Sequence, residues 1–174
     1  LNWPEESIKV IPSLRYRKDE KFKLQSTILL PYYFTNANLY LREIKNILSN
    51  LGEKKIKPLT IINHPHMTKS TYHIKFIKKL NVLLDAFKNN FSKDSDESEN
   101  FVLGGSYTVL ELLERGLKAT HICAEPIFEA YSSTFWPNIL INQVSDHSFI
   151  YRLKRVGSCV KLGNSTDEFD KYLI

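Results

Sequence analysis

Residues 101–116, FVLGGSYTVLELLERG, pass from an uncharged apolar run through two glycines and three hydroxyl side chains into an apolar helical pattern, an order that few local structures satisfy. Phe101-Val102-Leu103 has the composition of a buried strand. Gly104-Gly105 lets the backbone turn sharply and approach a ligand closely. Ser106, Tyr107 and Thr108 follow, with Ser106 in the place of a helix N-cap. Val109-Leu110-Glu111 then begins a helix that Gly116 closes. Free N–H groups and the dipole at such a helix start favour an anion, typically a phosphate. The same residues also suit a plain strand-to-helix connection, capped by Ser106 and binding nothing. The stretch is not a P-loop, because no lysine follows the glycines in the required place, and it is not G-x-G-x-x-G.

Other parts of the chain have the same grammar. Thr27–Leu30 is an uncharged run ended by Pro31, and Leu59–Ile62 is a second that runs into Asn63-His64-Pro65-His66. Ala119–Ala124 is a third, followed by Glu125-Pro126. Between these runs, Ala37–Leu51 places Tyr40, Leu41, Ile44, Ile47, Leu48 and Leu51 at helical spacing, with Asn36 as cap and Gly52 as stop. Ser70–Phe91 carries Phe76, Ile77, Leu80, Leu83, Leu84, Phe87 and Phe91 on one face and Lys75, Lys78, Lys79, Asp85 and Lys88 on the other. Asn138–Val144 suits a final strand, and Ser148–Val156 a helix with a basic end at Arg152, Lys154 and Arg155. The alternation predicts an α/β fold, a Rossmann-like parallel sheet with helices on both faces. On such a sheet the polar loops 63–66 and 104–108 share the carboxyl edge, where ligands bind. Residues 1–25 read as a lead-in, with a short strand around Ile8, Val10 and Ile11, and residues 26–174 as a single domain.

Charge is uneven. Residues 1–93 hold 17 Lys and Arg against 7 Asp and Glu, and residues 94–174 hold 7 against 12, so a net of +10 faces one of −5. A basic half can meet a phosphorylated ligand, an anionic membrane or nucleic acid, or be a solvated lysine-rich surface. Since no RNA-binding aromatic motif or helix-turn-helix pattern stands out, nucleic acid is not expected as a partner. The acidic stretch Ser92–Asn100 reads as a surface loop and lacks the Gly and terminal Glu spacing of an EF-hand. Cys123 and Cys159 form no Cys-x-x-Cys pair, so neither a disulfide scaffold nor structural zinc is expected. His64 and His66 lack the carboxylate-rich partner motif of a metal site, and none is expected there. No apolar run reaches the roughly 20 residues that span a membrane. The sparse cysteines suit a reducing, cytoplasmic setting, and LNWPEESIKV, with no signal-peptide core and no Met start, reads as cut from a longer chain or trimmed.

Together these pieces resemble a known family. Val102–Gly116 is similar to the nucleotide-binding half of GT-B glycosyltransferases, in which a strand, a Gly/Ser-rich turn and a helix start of the form S-S-T-V-L-E-A recur. The present chain has Ser106-Tyr107-Thr108-Val109-Leu110-Glu111, with Tyr107 departing from the second serine. His64-Pro65, closing an apolar run one helix earlier, resembles the HP motif of bacterial sialyltransferases, polysialyltransferases and related capsule and surface-carbohydrate transferases. The resemblance covers roughly residues 26–145.

The resemblance implies the donor-binding domain of a transferase in surface polysaccharide or glycolipid biosynthesis, with a nucleotide sugar as substrate and no cofactor. His64 would face the donor phosphate as hydrogen-bond donor or acid, Pro65 beside it would belong to the substrate-binding residues, and Gly104, Gly105, Ser106, Tyr107 and Thr108 would hold the same phosphate. Glu111 would approach the ribose, and Glu125 would line the base pocket. From the residues alone, His64 also suits a turn histidine bonded to a carbonyl, and Glu111 a first-turn carboxylate placed by the helix dipole. The resemblance further implies that a glycan or glycolipid acceptor is brought by an N-terminal half absent from this chain, so that the fragment alone transfers sugar weakly or not at all. A lipid-linked acceptor would add peripheral contact with the inner membrane. Nucleotide-sugar epimerases share the architecture and form a second reading. A non-catalytic interaction domain, docking through the basic helix 70–91, forms a third.

Overall fold

The structure, a computed structural model, describes residues 13–17, 26–32, 36–64, 70–104, 108–123, 137–158 and 162–163. In chain order the elements are β1 (Ser13–Arg17), β2 (Thr27–Leu29), α1 (Ala37–Ser49), β3 (Thr60–Ile62), α2 (Thr71–Ala86), a 3-10 turn at Lys88–Asn90, β4 (Asn100–Leu103), α3 (Thr108–Glu114), β5 (Ala119–Ile122), β6 (Ile139–Ser145), β7 (Ser148–Leu153) and β8 (Leu162–Gly163). Six strands form one sheet in the order β3-β2-β4-β5-β7-β6. The first four run parallel, whereas β7 is antiparallel to β5 and β6 to β7. The expected α/β fold holds, but its sheet is mixed.

Register separates the two faces. Ile28 and Leu30 of the β2 segment, Ile61, Phe101, Leu103 and Ile122 pack with Tyr40, Ile44 and Leu48 of α1 and with Phe76 and Leu80 of α2. The alternate residues Leu29, Ile62, Val102, Ala119 and Cys123 pack with Val109, Leu110, Leu112 and Leu113 of α3. Both faces of the parallel strands are therefore covered, which is why those runs carry so little charge. Asn36 caps α1 by accepting from the Leu39 amide at 3.2 Å, and Ser70 caps α2 by accepting from the His73 amide at 3.2 Å.

Three local expectations change. Ser148–Val156 is not a helix: its residues 148–153 form β7, paired to β6 through an Asp146-His147 turn. Phe149 and Tyr151 are buried and Leu153 packs partly against them, a period of two rather than 3.6, while Arg152 falls on the other phase. The 59–62 run is an edge strand, half-exposed rather than buried on both sides. The long helix ends at Ala86, and the 3-10 turn brings Phe91 into a bridge with Ile56.

The acidic loop that follows is tied to the preceding segment. Ser92 donates to the Ile56 carbonyl and Lys57 to that of Glu97, both at 2.9 Å. The strand expected around Ile8–Ile11 lies outside the described residues. The strand described nearby, β1, pairs in parallel with β8 as a separate two-stranded sheet. No described helix is long and apolar enough to cross a membrane.

Candidate ligand-binding site

β2 and β4 are neighbours, yet the chain leaves β2 toward β3 on one side and leaves β4 toward β5 on the other. Their carboxyl ends thus diverge at a topological switch point, the place where open α/β sheets leave a crevice for ligands. Pro31 and Tyr32 follow β2 at this edge, Gly104 follows β4, and Asn63-His64 follows β3. The Tyr32 ring meets the half-buried His64 edge-on, with ring centroids 5.4 Å apart. His64 and Gly104 lie on either side of the β2 end, so the sheet brings the two expected strand-end loops to one edge.

Gly104 has a backbone conformation that strains any other residue. Its φ is 71°, in the left-handed region, and a Cβ there would lie 3.1 Å from both Pro31 Cβ and Tyr40 Oη. Its amide donates to the Ile122 carbonyl at 2.7 Å. Its carbonyl accepts from Nε2 of the buried His121 at 2.7 Å. A carbonyl only accepts, so Nε2 must carry the proton. Burial pulls the His121 pKa below its usual value, although the bond to Gly104 opposes that shift. The ring is held neutral as a rivet for the turn.

Thr108 is the first residue of α3, four residues after Gly104. Glu111 does not stand alone: its Oε1 accepts from Arg115 Nη2 at 2.9 Å, one helical turn on. The geometry therefore gives Glu111 an intrahelical partner, as well as the first-turn position that the dipole favours. Pro65, Gly105, Ser106, Tyr107 and Glu125 lie outside the described residues.

The structure adds groups to this edge that sequence reasoning passed over. Glu43 of α1 is only 3% exposed. Its Oε2 accepts from Ser145 Oγ at 2.6 Å and Ser148 Oγ at 2.9 Å, and its Oε1 from Arg42 Nε at 3.1 Å. Burial pushes the Glu43 pKa up, but those hydrogen bonds outweigh it and hold the carboxyl below the ordinary carboxylate value. Ser145 Oγ also accepts from the His147 amide at 3.2 Å, and His147 Nδ1 meets the Cys123 carbonyl at 3.1 Å. Signals for these groups exist in the sequence. Glu43 shares the inward helical phase with Tyr40, Ile44 and Leu48, where a carboxylate needs partners. His121 interrupts an otherwise uncharged strand. His147 lies between two alternating apolar runs, in Ser-Asp-His-Ser, a composition suited to a turn.

The chain matches no family model, and no curated protein or solved structure is significantly similar to it.

Proposed function

We propose that this chain is the nucleotide-sugar-binding domain of a glycosyltransferase acting in bacterial surface polysaccharide or glycolipid biosynthesis. The reading rests on one observation: His64 and the Gly104 turn flank the topological switch point of a mostly parallel sheet. On this reading the donor phosphate lies at the turn that leads into Thr108. His64 donates a hydrogen bond, or a proton, to the phosphate that leaves the sugar. Developing charge on that oxygen is met by a fixed donor and backbone N–H groups, an arrangement that needs no cofactor. The acceptor, a glycan or glycolipid, and its base come from another domain. A lipid-linked acceptor would bring the domain to the inner face of a membrane.

Calorimetric titration with CMP, CDP, UDP and GDP tests the reading, repeated on His64→Ala and Ser106→Ala. Micromolar to millimolar binding of one nucleotide, weakened by both substitutions, is expected. No binding of any nucleotide by the wild type overturns it. A non-catalytic interaction domain is the second reading, favoured by the outer face of α2, where Tyr72 and Val82 are 65% and 72% exposed among Lys75, Lys78 and Lys79. That reading expects His64→Ala to leave every binding property unchanged.

A further inference from the structure

The carboxyl edge holds a second histidine, His147. β4 is the middle strand between β3 and β7 in the sheet order β3-β2-β4-β5-β7. The Gly104 turn at its end is two strand positions from the end of β3, where His64 lies. It is also two positions from the start of β7, which His147 directly precedes. Two strand positions are about 10 Å. A ligand whose phosphate is held between the Gly104 turn and His64 would therefore extend past the turn toward His147 on the other side.

His147 is built to present one particular nitrogen. Its Nδ1 lies 3.1 Å from the Cys123 carbonyl, which can only accept, so Nδ1 carries the proton. In the neutral ring Nε2 is then left as the acceptor. Nε2 has no hydrogen-bond partner among the described residues. The residue is fixed from three directions. Its carbonyl accepts from the Cys123 amide at 3.0 Å. Its amide donates to Ser145 Oγ, and that hydroxyl donates to the buried Glu43 carboxylate at 2.6 Å. The residue is half-buried as well as held. Glu111, the residue first expected near the ribose, has its Oε1 committed to Arg115.

Resting on the nucleotide-binding reading above, we propose that His147 is a second ligand-binding residue, whose Nε2 accepts a hydrogen bond from a ribose hydroxyl of the bound nucleotide. Glu43 and Ser145 are positioning residues for it, acting through the turn rather than on the ligand.

The test compares each ribonucleotide with its 2′,3′-dideoxy counterpart by calorimetry, on wild type, His64→Ala and His147→Ala. His147→Ala should weaken the ribonucleotide about tenfold, the loss of one neutral hydrogen bond, and leave the dideoxy compound unchanged. His64→Ala should weaken both equally, since it acts at the phosphate. Ring 15N shifts of the wild type supply a measurement free of any folding defect in the variant: Nδ1 protonated, Nε2 bare, and Nε2 shifting when the ribonucleotide is added. Equal loss for both compounds, no loss at all, or an Nε2-protonated ring overturns the role of His147 alone, provided the nucleotide still binds and His64→Ala still weakens it. A wild type that binds no nucleotide overturns the site reading and this inference together.

Discussion

His121 on β5 and Gly104 at the end of β4 are joined by a 2.7 Å hydrogen bond from the imidazole Nε2 to the glycine carbonyl. The bond crosses between adjacent parallel strands at the level where regular pairing ends, Leu103 being opposite Ile122. It fixes the carbonyl of a residue already in the left-handed region and so sets the direction in which the chain enters the loop before α3. A buried side chain thereby holds the turn on which the proposed site rests.

The burial of His121 makes stability depend on pH. The His121 pKa is depressed in the folded state by burial, so the unfolded chain binds the proton more readily. Stability should be flat above the unfolded value of about 6.5 and fall as pH drops through the window between that value and the lower folded one. Denaturation curves at a series of pH values should show this decline in the wild type and a shallower one in His121→Asn, which is less stable at alkaline pH. Equal slopes would remove His121 as the cause.

Gly104→Ala should be far more costly than Gly52→Ala. Both glycines have positive φ, 71° and 59°, but a Cβ at Gly52 meets nothing within 4 Å, whereas at Gly104 it meets Pro31 and Tyr40. The open site should cost about 1 kcal/mol for the backbone conformation alone. The crowded one should cost about 1–3 kcal/mol more. Urea unfolding of the two variants measures the difference, and equal losses would show that the crowding relaxes freely.

Glu43→Ala should destabilise by about 2–4 kcal/mol, because it strands the Ser145 and Ser148 hydroxyls and empties a buried position. Most of that loss should trace to the serines. Arg42 is largely exposed, and its pairing contributes little. The carboxyl is held below its ordinary pKa, so its contribution is complete above the unfolded value of about 4.3 and disappears as pH falls through the lower folded value. Comparing Arg42→Ala with Ser148→Ala by thermal melting checks the ranking. A larger loss for Arg42→Ala would reverse it.

His64→Ala should leave the melting temperature nearly unchanged, since a half-buried ring at the sheet edge touching Tyr32 supports little of the core. Nucleotide affinity should fall by about tenfold or more, the cost of a donor removed from an anionic phosphate. A large drop in melting temperature with no change in affinity would mark His64 as structural.

Much of the architecture was legible because its signals are local. The uncharged runs at 27–30, 59–62, 101–103 and 119–124 correspond to β2, β3, β4 and β5, and the helical phases of 37–51 and 70–91 to α1 and α2. The cap at Asn36 was readable for the same reason: it bonds an amide only three residues on. The 148–156 segment misled because its basic end resembles the last turn of a helix, while the alternation of Phe149, Tyr151 and Leu153 carries the strand. His64, Gly104, Thr108 and Glu111 could be placed from strand ends and a helix start. The partner of Glu111 is four residues away and still local. His121, His147 and Glu43 were not found, because each is defined by a contact 17, 24 or more than 100 residues distant.

The sequence by itself determined where strands, turns and helices occur, and that several strand-end loops are polar, because periodicity, capping and glycine φ depend on neighbouring residues. Only the tertiary structure decided the strand order β3-β2-β4-β5-β7-β6, the antiparallel edge, and the placement of His64, Gly104 and His147 along one side of the sheet. Backbone pairing in a sheet is almost indifferent to side-chain identity. The choice of partner strand is therefore settled by how two faces of side chains are buried at once, which no local stretch of this chain specifies.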